Sequence, residues 1–528
     1  MDCCGFIPEK VRSLLPQIFF RMKVNIIGAG VSGLVVGSYL QMCGFETEIF
    51  EQHAASGGLC TSWRRGEYTF DGCIQWLLGS NNSNAFYKLW SELIDMESVK
   101  FINHESRFHI ELENNTDKYG SKVFILYTNL DRLEKYLLDI APEDEKHIRS
   151  LISFCRKMQQ YELPPVVDKV TKMLTWSDKI SLAKYLPIGA LLLKWKNVTN
   201  VSFARKLKNP FLKEAFMQLF DGDELSLLIL TVPLASYDTD GAGYPLGGSY
   251  KFAQKFEEKY LATGGKINFN TTVSKILTEN DTAKGLLLED GSKAFSDITI
   301  SASDWHYTVF DALDGRYTDA SVISLKNQKK LGIYYSVFMV AMGLSRTFED
   351  YPHYSRFPLK EKLISPDGTV YERMEVHIYN YDPTLAPEGK TVVSVSYYTQ
   401  EGDYWIKLRD EDNGRYDTIK NEFAAQIIDA LEEKLGNIKK YIEVTDVTTP
   451  ATYHRYTGNF QGSVQGWLPG KKLAAGTPIK TTLPGLKNFY FTGHWSHPGG
   501  GLPIAIKSGR DITQIICKKY KVPFKVTR

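Results

Sequence analysis

Lys23-Val-Asn-Ile-Ile27 runs without a break into Gly28-Ala-Gly30-Val-Ser-Gly33, and the reading of this junction decides the fold. The first five residues read as a short buried strand, 34–42 reads as a helix, Gly44 breaks it, and Glu46-Thr-Glu-Ile-Phe-Glu51 reads as a second strand. Together they form a complete βαβ unit. Gly28 makes the tight turn, Gly30 lets backbone approach a pyrophosphate, and Gly33 lets helix and strand pack closely. Ala29 and Ser32 complete the loop, whose unpaired amides sit at the positive end of the helix. Glu51, 23 residues after Gly28, falls where a carboxylate accepts hydrogen bonds from an adenosine ribose, and an acid there disfavours a 2′-phosphate.

Just beyond Glu51 and Gln52 come Gly57 and Gly58, followed by Leu59. A simple nicotinamide dehydrogenase has no need of this second glycine pair, whereas a flavoprotein uses such a turn to run backbone along the diphosphate and ribityl chain of FAD. No second fingerprint with the required spacing follows, so a separate nicotinamide domain is not expected. Near the C-terminus, Phe489-Tyr-Phe-Thr-Gly493 reads as a strand, then His494-Trp-Ser-His497-Pro498-Gly499-Gly500-Gly501-Leu502-Pro503 leads into a helix over 504–518. Three successive glycines let backbone lie against a flat ring. A helix N-terminus aimed at the flavin pyrimidine edge would stabilise the negative charge that develops on reduction.

Composition bounds the alternatives. The 528 residues are 43% hydrophobic and 23% charged, far from the composition of disordered chains and enough for two or three domains. A formal net charge of +2 offers no chain-wide field for a nucleic-acid backbone. Seven cysteines without a Cys-x-x-Cys pair suit neither a disulfide framework nor a zinc site, so a reducing, cytoplasmic setting is expected and no metal. The longest strongly apolar stretch, 225–235, is about half of the roughly 20 residues needed to cross a bilayer. Residues 1–21 lack the charged start and apolar core of a secretory signal and read as an N-terminal extension.

Taken together these motifs resemble the phytoene desaturase, carotenoid isomerase and retinol saturase group of FAD oxidoreductases, related more broadly to the amine oxidases. The resemblance spans 22–519 and rests also on Tyr68-Thr-Phe-Asp71-Gly, Trp76-Leu-Leu-Gly79, Tyr244-Pro-Leu-Gly-Gly248, Asp382-Pro-Thr-Leu-Ala-Pro387 and Arg455-Tyr-Thr-Gly458. Two departures stand out: relatives commonly carry Arg where this chain has Leu59, and many carry an acid where it has His494. The implied fold is α/β, with a Rossmann-like FAD-binding domain of the glutathione reductase type assembled from 22–80, 236–305 and 482–520. A substrate domain of α+β type (81–129 and 306–481) is interleaved with it, and a helical cap covers 130–235. The pattern agrees: 249–260 is an amphipathic helix with Phe252, Phe256 and Tyr260 on one face, 266–277 alternates as a strand, and Asp290-Gly291 marks a hairpin. Runs at 333–340 and 391–398 read as strands of the substrate sheet, and 416–435 as a helix covering it.

The resemblance implies hydride transfer to or from flavin N5, adding or removing hydrogen at carbon–carbon bonds of an apolar polyene, isoprenoid or other unsaturated lipid, with a further electron donor or acceptor. It places the backbone near Val273 against adenine, and Tyr68, Phe70, Trp76, Tyr453, Tyr456 and Trp467 beside the flavin. His497, His454 and Arg455 are the candidates for protonating or orienting substrate. A flavin amine oxidase, an isomerase using reduced FAD without net turnover, and a redox-silent flavin scaffold are the competing readings. Between 149 and 213, thirteen basic residues stand against Glu162, Asp168 and Asp178, mixed with Leu174, Trp176, Leu182, Tyr185, Leu186, Leu191, Leu192, Leu193 and Trp195. That mixture suits either an element resting on anionic lipid or an ordinary solvated cap.

Overall fold

Val24, Asn25, Ile26 and Ile27 are all buried, because the opening strand, Lys23–Ile27, is the centre of a five-stranded sheet. A strand covered on both faces is mostly apolar, as parallel strands generally are, and the one polar side chain buried here, Asn25, donates to Ala294 O at 2.9 Å. The computed structural model describes residues 21–160, 170, 173–182, 186–220, 225–329, 331–468 and 479–527. The sheet runs in the order Phe489–Phe491, Ile298–Ser301, Lys23–Ile27, Glu46–Phe50, Lys266–Asn268, all parallel. Both ends of the chain and its middle therefore supply one sheet.

The first helix, Val31–Met42, is buried from Val31 through Gln41. It begins earlier than the expected 34–42, because Gly30 already serves as its N-cap. Enclosure explains the burial: the sheet lies on one side, and the helices Gly501–Tyr520 and Gly248–Ala262 pack on the others. A buried ion pair fastens this arrangement. Arg510 donates through Nε and Nη2 to the two Glu92 oxygens at 2.8 and 3.0 Å, and the Tyr39 hydroxyl donates to the same carboxylate at 2.8 Å. Such a two-pronged contact fixes geometry as well as adding energy. The expected face of Phe252, Phe256 and Tyr260 is buried on Gly248–Ala262.

The single strand expected over 266–277 is instead two. Lys266–Asn268 stays in the parallel sheet, Asn270 turns the chain with a φ of 51°, and Val273–Glu279 enters a separate antiparallel sheet with Thr282–Leu288 and Lys293–Phe295. The alternation of apolar residues carries through the turn, which is why it read as continuous.

A seven-stranded sheet forms the second layer, in the order Ile442–Thr448, Ser336–Leu344, Thr391–Thr399, Val370–Ile378, Tyr354–Ile364, Ser106–Glu111, Val123–Tyr127. Alternate residues, such as Phe338, Val340, Met374, Val376, Val393 and Val395, pack against Phe423, Ile427 and Leu431 of the helix Asn413–Leu435. The opposite face looks into a cavity. Above it, Leu130–Ile140, Glu145–Gln160, Leu186–Trp195, Pro210–Met217 and Leu228–Tyr237 share one apolar cluster. Their spacing is amphipathic: Leu130, Leu133, Leu137 and Ile140 are the buried residues of the first of them. Residues 1–20, Glu162, Asp168 and Tyr185 lie outside the described residues.

Candidate functional site

Three glycine turns from distant parts of the chain meet at the start of the first helix. Gly28, with φ of 95°, donates its N–H to Phe50 O at 2.8 Å. A Cβ on Gly33 would lie 2.0 Å from Gly28 O, so the turn closes only around a glycine. Gly30 differs: its φ of −63° and ψ of 167° suit any residue, and a Cβ there would meet nothing within 4 Å. The protein's own packing does not require a glycine at 30. Gly57 pairs with Gly30 as a parallel bridge and donates to Ala29 O at 2.9 Å, while a Cβ on Gly58 would stand 3.3 Å from Gly30 Cα. From the far end, a Cβ on Gly493 would come within 2.9 Å of Ser32 Oγ.

Glu51, at the end of its strand, is buried. Its Oε2 accepts from Ala29 N at 2.6 Å and its Oε1 from His53 N at 2.9 Å. Burial raises its pKa, opposed by the amide bonds from His53 and Ala29. Gln52 is exposed and donates to Tyr456 O at 3.3 Å. Val273 is buried, and its carbonyl accepts from the Tyr307 hydroxyl.

The closing segment supplies the other wall. Gly493 N donates to Ser508 Oγ at 2.9 Å, and Gly500 caps the helix Gly501–Tyr520 without a side-chain hydrogen bond. His494 lies between these points with Nε2 buried and unpartnered, and burial pushes its pKa down to about 4, so the ring is neutral. Three features thus fit a dinucleotide: open space before Gly30, two helix N-termini without side-chain caps, and an unpartnered imidazole nitrogen on His494. When FAD is bound, Gly28 to Gly33 and Gly57-Gly58 would hold the diphosphate, Glu51 the ribose, and His494 with Gly499 to Gly501 the flavin side.

Beside this cradle opens a cavity of about 2270 Å³, well beyond the roughly 300–1,000 Å³ of ordinary small-molecule sites. The seven-stranded sheet lines one wall, the helices Leu186–Trp195 and Leu228–Tyr237 another, and Leu59 and residues 498–504 the side towards the cradle. Asp71 also faces it. Burial raises the Asp71 pKa to about 6, although its carboxylate accepts from the Tyr244 hydroxyl at 3.1 Å and Ser249 N at 3.2 Å.

The expected site residues divide. His497 reaches the cavity edge, exposed, with Nδ1 3.1 Å from Ser496 Oγ. His454 and Arg455 are not among the residues that line the cavity. They lie on the helix Pro450–Thr457, whose Tyr453 takes the inward position. His454 Nδ1 is 2.9 Å from the Asn459 carbonyl, and Arg455 points outward over the Tyr456 ring. Of the expected aromatics, Trp76 and Tyr453 line the cavity, Tyr68, Phe70 and Trp467 are core, and Tyr456 is exposed. Gln75, Arg107, Tyr237 and His377 line the wall and were not singled out. The alternating Ser106–Glu111 strand carried a signal for Arg107, which sits on the half-buried face of a two-faced strand.

A family model described as flavin containing amine oxidoreductase matches residues 31–517. Among curated proteins, the chain is 22% identical to a 4,4'-diapophytoene desaturase (4,4'-diapolycopene-forming) of Methylomonas sp, over 95% of this chain and 96% of that protein. It is 22% identical to a phytoene desaturase (lycopene-forming) of Paracoccus sp., over 93% and 96%. A prolycopene isomerase of an Oncidium hybrid cultivar is 24% identical, over 92% and 82%. Among solved structures, an oxidoreductase from Methanosarcina mazei superposes with a TM-score of 0.57 at 17% identity, covering 94% of this chain and 100% of the other. A redesigned putrescine oxidase gives 0.55 at 13%, covering 94% and 99%.

The two fingerprint glycines separate binding from folding. Gly30→Val should leave the melting temperature of the flavin-free protein near that of flavin-free wild type and yield colourless protein, since the new side chain has room only where the diphosphate would lie. Gly33→Ala should lower that melting temperature itself, by an overpacking cost of about 1–3 kcal/mol. Stoichiometric FAD in Gly30→Val would contradict the placement.

Proposed function

Because the chain belongs to the flavin-containing amine oxidoreductase family and is an FAD-dependent oxidoreductase, we propose that it adds or removes hydrogen at carbon–carbon bonds of an apolar, unsaturated lipid. The observation that carries this reading is the cavity of about 2270 Å³, bordered by the triple-glycine loop. Desaturases among the curated relatives support it. FAD, when bound, supplies a two-electron acceptor or donor of hydride. The chain's own residues enclose substrate between the sheet and the cap helices, exclude water, and hold it along Trp76, Tyr453 and Leu502. We assign the cofactor contacts to Gly28, Ala29, Gly30, Ser32, Gly33, Glu51, Gln52, Gly57, Gly58, Leu59, Val273, Gly493, His494, Pro498, Gly499, Gly500, Gly501 and Leu502. His497 is the proposed proton-handling group. The domain division into 22–80, 236–305 and 482–520, the substrate segments 81–129 and 306–481, and the cap 130–235 belongs to the same proposal.

Anaerobic incubation of the yellow protein with a polyene-rich lipid extract tests it. Flavin absorbance should bleach as a product forms that lacks one equivalent of hydrogen, or pre-reduced flavin should be reoxidised as a product gains one. A product of unchanged mass but altered double-bond geometry would favour isomerisation, the activity in the name of one relative. Bleaching by amines alone would overturn both.

We also propose that the cap rests on a lipid surface, in a cytoplasmic setting that the free thiols of Cys43, Cys60, Cys73, Cys155 and Cys517 suit. No helix among the described residues is long and apolar enough to cross a membrane. Instead Trp176, Ile180, Leu186 and Leu193 are 80%, 71%, 71% and 63% exposed, and the latter two border the cavity. Basic residues are interspersed with them along the sequence, the mixture that binds anionic interfaces. Trp195, by contrast, is buried against Phe154 and belongs to the core. The protein should cosediment with anionic liposomes at low salt, and Trp176→Ser combined with Leu186→Ser should reduce the bound fraction. No sedimentation at low or physiological salt would remove the proposal.

A further inference from the structure

The wall formed by the seven-stranded sheet is far more polar than a hydrocarbon requires. On Val370–Ile378 the apolar alternates Met374, Val376 and Ile378 enter the core beneath, while Arg373, Glu375 and His377 line the cavity. Neighbouring strands add Arg356 and Arg107. Two of these three guanidinium groups have carboxylate partners: Arg356 meets Glu375 at 2.9 Å, and Arg373 meets Glu113 at 3.6 Å. Arg107 has none among the described residues. Its Nη2 donates to Gln75 Oε1 at 2.7 Å, and its guanidinium lies 5.0 Å from the Tyr354 ring centroid.

We propose that Arg107, with Gln75, Tyr237 and His377, forms a subsite for a carboxylate at one end of the substrate, so that this enzyme acts on a long unsaturated acid. The inference rests on the preceding reading that the cavity holds an unsaturated chain. A pure hydrocarbon would leave a half-buried cation facing an apolar surface, which is unfavourable because the charge loses water and gains no partner. Among the described residues no carboxylate lies within ion-pairing distance of Arg107, and Glu375 on the same wall is paired with Arg356. His104, His353 and His377 cluster around Arg107, with His104 and His353 stacked at 3.6 Å. Burial, and then the positive charge of Arg107, holds His104 and His377 down to about 4 and about 3. Burial, then His104 and Arg107, takes His353 down to about 2. All three rings are therefore neutral at physiological pH, and neighbouring tyrosines are not ionised: burial raises the Tyr237 pKa above its ordinary value.

A donor also awaits an acceptor. The Tyr237 hydroxyl is buried without a hydrogen-bond partner and lines the cavity beside Arg107, and His104 Nε2 is likewise unpartnered in the small recess behind it. His377 Nε2 accepts from Gln75 Nε2 at 3.4 Å, which orients the carboxamide whose Oε1 faces Arg107. A carboxylate presents two oxygens with about four acceptor positions, a match for the planar fork of an arginine plus one hydroxyl. An ester or a hydrocarbon lacks the charge, and an alcohol lacks the second oxygen.

The test uses FAD-loaded protein and a fluorescent conjugated tetraene, cis-parinaric acid, beside its methyl ester. The acid should bind about tenfold or more tightly than the ester, the scale of a charge-assisted hydrogen bond. Arg107→Gln should abolish that preference by weakening the acid alone, Arg107→Lys should restore part of it, and both variants should keep the flavin absorbance of wild type. Equal binding of acid and ester by wild type, or equal weakening of both by Arg107→Gln, would overturn the carboxylate subsite and leave the cavity reading standing. Binding of neither molecule would overturn both.

Discussion

The fold depends on backbone-to-backbone approach at the N-terminus of the helix Val31–Met42. Gly28 and Gly33 touch there with no room for a side chain, Gly57 bridges to Gly30, and Gly493 closes on Ser32. The last two contacts join separate segments of the chain, so the turns must form together. The clamp of Arg510, Glu92 and Tyr39 holds the closing helix over the opening one and keeps these turns in register. Gly30, unlike Gly28, Gly33, Gly57, Gly58 and Gly493, has unclaimed space in front of it. A cradle built this tightly, with one open side and uncapped amides facing it, is preorganised for an anionic ligand, so little of the binding energy is spent on ordering.

The two layers divide the labour. The parallel sheet ends in glycine turns that present backbone, while the seven-stranded sheet presents side chains. One face of the latter is sealed by the helix Asn413–Leu435 and the other is left to the cavity. A face that is lined by arginines, glutamates and a histidine, yet roofed by apolar cap helices, makes an amphipathic enclosure. Its neutral histidines and paired charges keep the electrostatic demand focused on Arg107.

Much of this was legible in the sequence wherever local pattern and tertiary role coincide. Lys23–Ile27 was readable because a central parallel strand is mostly apolar and this one runs straight into the glycine turn. The glycine turns were readable because their spacing is dictated by a phosphate, and the face of Phe252, Phe256 and Tyr260 because helical period and burial agree. The reading failed where a local pattern has two tertiary outcomes. Apolar alternation continued across the turn at Asn270, so two strands in different sheets looked like one. Tyr68, Phe70 and Trp467, expected from the resemblance beside the flavin, are buried in the core, and nothing in an aromatic residue's identity distinguishes a wall from an interior. His454 and Arg455 fell a step beyond Tyr453 on a short helix, which turned them away from the cavity. Arg107 escaped notice because the partners of the other arginines, which make it the odd one, lie far along the chain.

Amide hydrogen exchange on flavin-stripped protein, before and after FAD is restored, tests most directly whether the separated turns act as one site. Protection should rise together in residues 28–33, 57–60 and 493–502. Protection confined to the first of these segments, or absent from all three, would contradict the account.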